Sequence, residues 1–267
     1  LRKKLNANIA LFKATLNQTF IESNSPIQAV LLPGNEAVKK ACTNLQQKGF
    51  DVRPVLSPTV KKGTERIRVC LHTHNTSKEI IDFIQSKGIV VSAGHTNADY
   101  ATAMSFFNDG IQVATHLYNA MSPLQHRAPG VVGALLNHSR AMCSLVADGY
   151  HVDFAAIAIA KKIMGERLFC ITDAVTTTSS GLYQHQLVGD KYESAGTLSG
   201  SALTQLKSVN NLVEQVGIDL GEAIKMCSLY PAQVMQHKGI NGKIEVNENA
   251  DLLCLSADRQ LIKLYLA

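Results

Sequence analysis

Tryptophan is absent from the 267 residues, and aromatic side chains make up only 6%. Single-stranded nucleic acid is held by cations interleaved with stacking aromatics, and this chain offers only a formal charge of +5 without such interleaving. Nucleic acid is therefore not an expected partner. A Cys-x-x-Cys pair is also missing: Cys42, Cys70, Cys143, Cys170, Cys227 and Cys254 are scattered, mostly inside apolar segments. That spacing argues against a disulfide frame and for buried thiols in a reducing compartment. No apolar run reaches the about 20 residues a membrane helix needs, and no signal-peptide pattern is present. The expectation is a cytoplasmic protein without membrane contact. An initiator methionine is lacking too, so a chain opening at Leu1 inside a helical segment reads either as a piece of something longer or as a chain whose methionine was removed on expression.

What the chain does have is a recurring polar cluster. Gly94-His95-Thr96-Asn97, Thr115-His116-Leu117-Tyr118-Asn119-Ala120-Met121, Ala147-Asp148-Gly149-Tyr150-His151 and Ile171-Thr172-Asp173-Ala174 each follow a short apolar run, over 88–93, 111–115, 141–147 and 168–172. Helical periodicity over 98–108, 130–136 and 154–164 separates these runs, so the region reads as successive βα units. Side chains at the carboxyl ends of such strands share a crevice, which in a βα barrel is the active site. A lone histidine after a strand is usually structural. Four metal-competent clusters at equivalent positions are not readily a coincidence.

Neutral imidazole is the commonest ligand for zinc and similar ions, and a catalytic site uses about three protein ligands with one position left for water. His95 and His116 supply two. Such a metal acidifies its water and polarises a carbonyl, while a carboxylate such as Asp173 moves the proton to the leaving group. The reaction class is metal-assisted hydrolysis of an amide or ester.

From about residue 77 onward the chain resembles the N-acetylglucosamine-6-phosphate deacetylases of the amidohydrolase superfamily, through GIVVSAGHTNA, ATHLYNAMSPLQHRAPG, VADGYHVD, ITDA and GTLSGSALT. The resemblance implies an α/β fold, a (β/α) barrel of the metal-dependent hydrolase type, acting on a small sugar phosphate as a homo-oligomer. It implies a divalent metal, zinc by preference, on His95 and His116, with Asp173 as general base and acid. It places Asn119 and Ala120 on the sugar phosphate, His151 on the sugar and Arg127 on the phosphate held by a neighbouring subunit. Leu198 and Ser199, in a 196–201 segment expected to be a loop before a helix, would lie on the substrate side.

The departures matter as much. The family's His-x-Glu-Gly-Pro motif, source of a carboxylate ligand, does not occur. Only about four strand-end units are present where a full barrel has eight. A half barrel exposes strand edges and an unclosed core, so an inactive fusion or truncated remnant is the competing expectation.

Residues 1–76 read as a separate small α/β domain: a helix over 2–17, a strand over 27–32, a helix over 35–49 and strands over 50–55 and 66–71. SPIQAVLLPGN and LQQKGFDVRPVLSPTVKKGTERIRVCLH resemble the C-terminal small domain of the pyridoxal-phosphate-dependent α-oxoamine synthases. The resemblance implies a fragment, because the Schiff-base lysine of that chemistry belongs to a large cofactor domain for which there is no room. Arg68 stands where that family is implicated in holding a substrate carboxylate, and an exposed strand arginine is the plain alternative. The two resemblances meet within 76–84, in a helix over 77–86 that either closes the first part or opens the second. Lysine and arginine are concentrated before Lys87, and no Pro-, Gly- or Ser-rich linker marks the join, which suggests a fusion of two fragments or a faulty gene reading. His72 and His74, two apart after a strand, imitate a metal pair, although the synthase-like stretch already accounts for them. Beyond residue 201, helices are expected over 202–216, 219–226 and 231–237, with short strands over 243–246 and 251–255.

Overall fold

The structure is a computed structural model of the chain that describes residues 2–15, 20–72, 74–86, 88–179, 184–235, 242, 244, 246 and 251–265. It divides into two compact units, Leu1–Ser92 with Ser105–Ile111, and Ala93–Met104 with Gln112–Ala267.

The first unit contains α1 (Arg2–Thr15), β1 (Phe20–Ile21), β2 (Ile27–Leu31), α2 (Asn35–Gln47), β3 (Val52–Val55), β4 (Arg66–Cys70) and α3 (Ser77–Gln85). Its sheet has the order β1-β2-β4-β3 and is antiparallel throughout, with Ile27 opposite Cys70 and Val52 opposite Val69. In α2, Val38, Cys42 and Leu45 recur at helical spacing and are buried, the apolar stripe that seats a helix on a sheet. Gly49, at φ 89°, ends that segment. Helix α3 opens with a capping box: Thr76 Oγ1 accepts from the Glu79 N–H at 3.2 Å, and Glu79 Oε2 accepts from the Thr76 N–H at 2.7 Å. Its Phe83 ring lies 6.0 Å from Phe12 of α1 and edge-on to Phe50 at 5.5 Å. Packing thus assigns this helix to the first unit.

The second unit carries the βα succession: β5 (Ser92–Ala93, on the boundary), α4 (Tyr100–Asn108, divided between the units), β6 (Val113–Ala114), α5 (Gly130–Asn137), β7 (Met142–Val146), α6 (Phe154–Met164) and β8 (Leu168–Ile171). The order is β5-β6-β7-β8, with β6/β7 and β7/β8 parallel; Val113 pairs with Met142 and Cys143 with Leu168. β7 is buried on both faces, through Cys143, Ser144, Leu145 and Val146, as a strand covered by helices must be. The sheet ends at β5 and β8, so the barrel is partial and open.

Where 196–201 was expected to loop, a three-stranded antiparallel meander forms from β9 (Gln186–Val188), β10 (Lys191–Ser194) and β11 (Thr197–Ser201). Ala195 and Gly196 join β10 to β11 with φ of 50° and 78°. A two-residue link with both φ positive matches the twist of a hairpin, which is why the Gly-Thr-Leu-Ser-Gly-Ser stretch becomes strand. The helix expected over 202–216 is α7 (Gln205–Asn211) running into a π-helical turn, Leu212–Val216. Then come α8 (Leu220–Cys227), α9 (Leu229–Met235) and a two-stranded ribbon of β12 (Leu252–Leu255) and β13 (Leu261–Tyr265), the last not foreseen. His237, where a helix was expected to end, and Lys243 and Glu245 of the expected 243–246 strand lie outside the described residues. Cys70, Cys143, Cys170, Cys227 and Cys254 are free thiols.

Candidate active site

The backbone marks the site before any side chain does. Among the described residues seven non-glycine residues have positive φ, and His95 (46°), His116 (41°), Ala120 (49°) and Asp173 (49°) are four of them, with Tyr118 (75°) in the same turn as His116. A left-handed residue with a Cβ is disfavoured by about 1–2 kcal/mol, and such strain gathers at functional sites. Here it follows β5, β6 and β8.

His116 is held by β7. Its backbone N–H donates to Ser144 Oγ at 3.0 Å, the next N–H, of Leu117, donates to the Ser144 carbonyl at 2.8 Å, and Ser144 Oγ donates to Thr115 Oγ1 at 3.3 Å. Ser144 therefore clamps the left-handed turn from the neighbouring strand. Gly94 permits the close approach, since a Cβ there would stand 2.7 Å from Thr115 Cγ2. The His95 and His116 ring centroids lie 4.8 Å apart and nearly perpendicular. His116 is only 7% exposed, and its Nδ1 is buried without a hydrogen-bond partner among the described residues. An orphaned buried ring nitrogen demands an explanation, and a ligand role supplies one.

Asp173 presents an exposed side chain from a fixed main chain. Its carbonyl accepts from the Ser201 N–H at 3.0 Å, and the buried Ser201 hydroxyl donates to the Thr172 carbonyl and accepts from the Leu203 N–H at 3.0 Å. The meander strand β11 thus fixes the end of β8. After β7, His151 Nδ1 lies 2.6 Å from Asp148 Oδ2, and Asn211 Nδ2 donates to the Ala147 carbonyl at 2.7 Å. A cleft of ≈ 440 Å³ lined by Asp148, Tyr150, Phe154, Lys207, Asn211 and Gln215 opens beside this pair.

The other residues singled out from sequence are dispersed. Asn119 is engaged by its own turn, its N–H on the His116 carbonyl at 2.9 Å and its Nδ2 on the Leu117 carbonyl at 3.2 Å. Ala120 and Arg127 are exposed. Ser199 pairs with His185 Nδ1 at 2.8 Å, and Leu198 is half-buried on β11. His72 and His74 are exposed and stacked at 4.9 Å. Ser144 was missed, because a serine inside an apolar strand carries no pattern of its own, and a lone histidine such as His185 carries none either.

No group of three or more His, Cys, Asp or Glu able to hold a metal occurs among the described residues. His95 and His116 fit the nitrogen part of a divalent-metal site, but two imidazoles fall short of about three protein ligands. The described residues do not complete it.

A model of the amidohydrolase family matches residues 69–265. This chain belongs to the amidohydrolase family. It is 36% identical over 192 residues to an N-acetylglucosamine-6-phosphate deacetylase of Haemophilus influenzae, covering 68% of this chain and 50% of that protein. It is 31% identical over 206 residues to an N-acetylgalactosamine-6-phosphate deacetylase of Escherichia coli O157:H7, covering 74% and 55%. The crystal structure of N-acetylglucosamine-6-phosphate deacetylase from Pasteurella multocida superposes with a TM-score of 0.66 at 36% identity, over 73% of this chain and 54% of that one. This amidohydrolase chain spans about half the length of the relatives it matches. No helix among its described residues is long and apolar enough to cross a membrane.

Proposed function

We propose that the second unit is the strand-end part of a metal-dependent amide hydrolase that releases acetate from an N-acetylated amino-sugar 6-phosphate, the glucose-derived sugar first and its galactose counterpart second. The observation that carries this reading is the meeting of His95 and His116, both left-handed, with rings 4.8 Å apart and one ring nitrogen buried without a partner among the described residues. A divalent ion there, zinc the expected one, would acidify a bound water and polarise the acetamide carbonyl. Everything else falls to the chain. The exposed Asp173 carboxylate takes the proton from water and passes it to the departing nitrogen. Asn119 and Ala120 meet the sugar phosphate, His151 the sugar, and Leu198 and Ser199 flank it. Arg127, exposed on its loop, suits the phosphate held by a neighbouring copy, since a guanidinium fork matches phosphate geometry. A homo-oligomer is part of this reading, and light scattering tests it.

The two-imidazole donor set and the open sheet favour a second reading, a catalytically inactive remnant. Acetate release from N-acetylglucosamine 6-phosphate, with zinc added and Asp173→Asn as control, separates the two. Release that the control abolishes supports the hydrolase, and release equal in both supports the remnant. For residues 1–76 we propose a fragment of an α-oxoamine synthase small domain fused within 76–84, supported by PTVKKGTERIRV at β4. Sequencing the transcript across that segment tests the fusion.

A further inference from the structure

Asp148 and His151 follow the carboxyl end of β7 and bind each other. Asp148 Oδ1 accepts from the Tyr150 and His151 N–H groups at 2.9 and 2.8 Å, and Oδ2 lies 2.6 Å from His151 Nδ1. Both side chains are more than nine-tenths buried. Burial alone would push the Asp148 carboxyl up, but the hydrogen bonds from the His151 ring and from the two backbone N–H groups outweigh it and hold the group below its ordinary value. At neutral pH Asp148 is a carboxylate.

A carboxylate only accepts, so the hydrogen on the 2.6 Å contact belongs to His151 Nδ1. A neutral imidazole has a single N–H, which leaves Nε2 with a lone pair. Among the described residues no hydrogen bond is made to Nε2. We propose that Asp148 is a positioning residue: in the neutral form of the His151 ring it fixes the Nδ1–H tautomer and leaves Nε2 as an acceptor that selects a ligand hydroxyl. The inference rests on the reading that His151 meets an amino-sugar phosphate, and it assigns His151 to the sugar ring rather than the phosphate. A phosphate dianion offers only acceptors and would face the Nε2 lone pair without a hydrogen between them.

The test is long-range ¹H–¹⁵N correlation on the full chain labelled at histidine nitrogens, above pH 7.5, with His151 assigned from His151→Gln. The expected result is Nδ1–H in the native chain and Nε2–H in Asp148→Asn, whose amide can donate to Nδ1. Binding of N-acetylglucosamine 6-phosphate, followed by calorimetry, should weaken about tenfold in Asp148→Asn, a loss on the scale seen when a partner orienting a functional histidine is removed. A ring carrying Nε2–H in the native chain overturns the proposal even if Asp148→Asn fails to fold. Native Nδ1–H without sugar-phosphate binding leaves the positioning intact and defeats the deacetylase reading, whereas Nε2–H with binding does the reverse.

Discussion

At the residue scale the account turns on how strained positions are held. Ser144 satisfies the buried His116 N–H and fixes the turn that aims its ring. Ser144→Ala leaves that donor without its partner, at a cost of about 1–3 kcal/mol. The expected outcome is a lower melting temperature together with zinc affinity about 10- to 100-fold weaker, as for loss of other groups that orient metal ligands. Thermal denaturation with and without zinc checks both, and unchanged zinc affinity would mean that the turn is held without the serine. His95, His116, Asp173 and His151 stand out in the sequence because each is a chemically distinctive side chain just past an apolar run. Ser144 was not singled out, because its role depends on which strand lies beside which.

Elements with a strong local code emerged from the sequence closely. Helix α6 was expected over 154–164 and spans Phe154–Met164, with Asp153 Oδ1 accepting from the Ala155 N–H at its start. The capping box of α3 is equally local. Thr76→Ala should cost about 1 kcal/mol, read as a lower chemical-denaturation midpoint, and Thr76→Ser should restore it. Elements whose code is tertiary were misjudged. β5 was expected over 88–93 and is only Ser92–Ala93, since an apolar run becomes strand only where a neighbour accepts its hydrogen bonds. β11 was taken for a loop because glycine and serine are weak strand formers. Pairing with β10 overrode that preference, and Gly200 allows it: at φ 154°, a Cβ there would stand 2.7 Å from the Val175 side chain.

For the whole molecule the titrating groups set the response to acid. Burial first, then the charges of Arg140 and Arg167, hold His138 below its ordinary value, and its Nδ1 accepts from the Arg140 and Ala141 N–H groups at 3.2 and 2.8 Å. The unfolded chain therefore takes up that proton first, and stability is lost as pH falls from about 6.5 toward the lower folded value. Asp148 and Glu222 are depressed despite burial, by hydrogen bonds from His151 and its loop and from Lys161 and Tyr230 respectively. Their contribution is full above about pH 4.3 and is lost as pH falls through their folded values. Melting temperature should thus be flat between about pH 7 and 8 and decline in two stages as pH falls below that, the first absent in His138→Asn. A single stage below pH 4 in the native chain would contradict this assignment.

The partial barrel was legible because βα alternation is written in periodicity. The third metal donor was not, since neither the sequence motif nor the described residues supply it. The most direct test of the account is therefore zinc titration by calorimetry of the native chain beside His95→Ala, His116→Ala and His72→Ala. One bound equivalent, lost in the first two variants and kept in the third, is the predicted result. Binding that survives both His95→Ala and His116→Ala, or that disappears in His72→Ala, would contradict the placement of the metal at the strand ends.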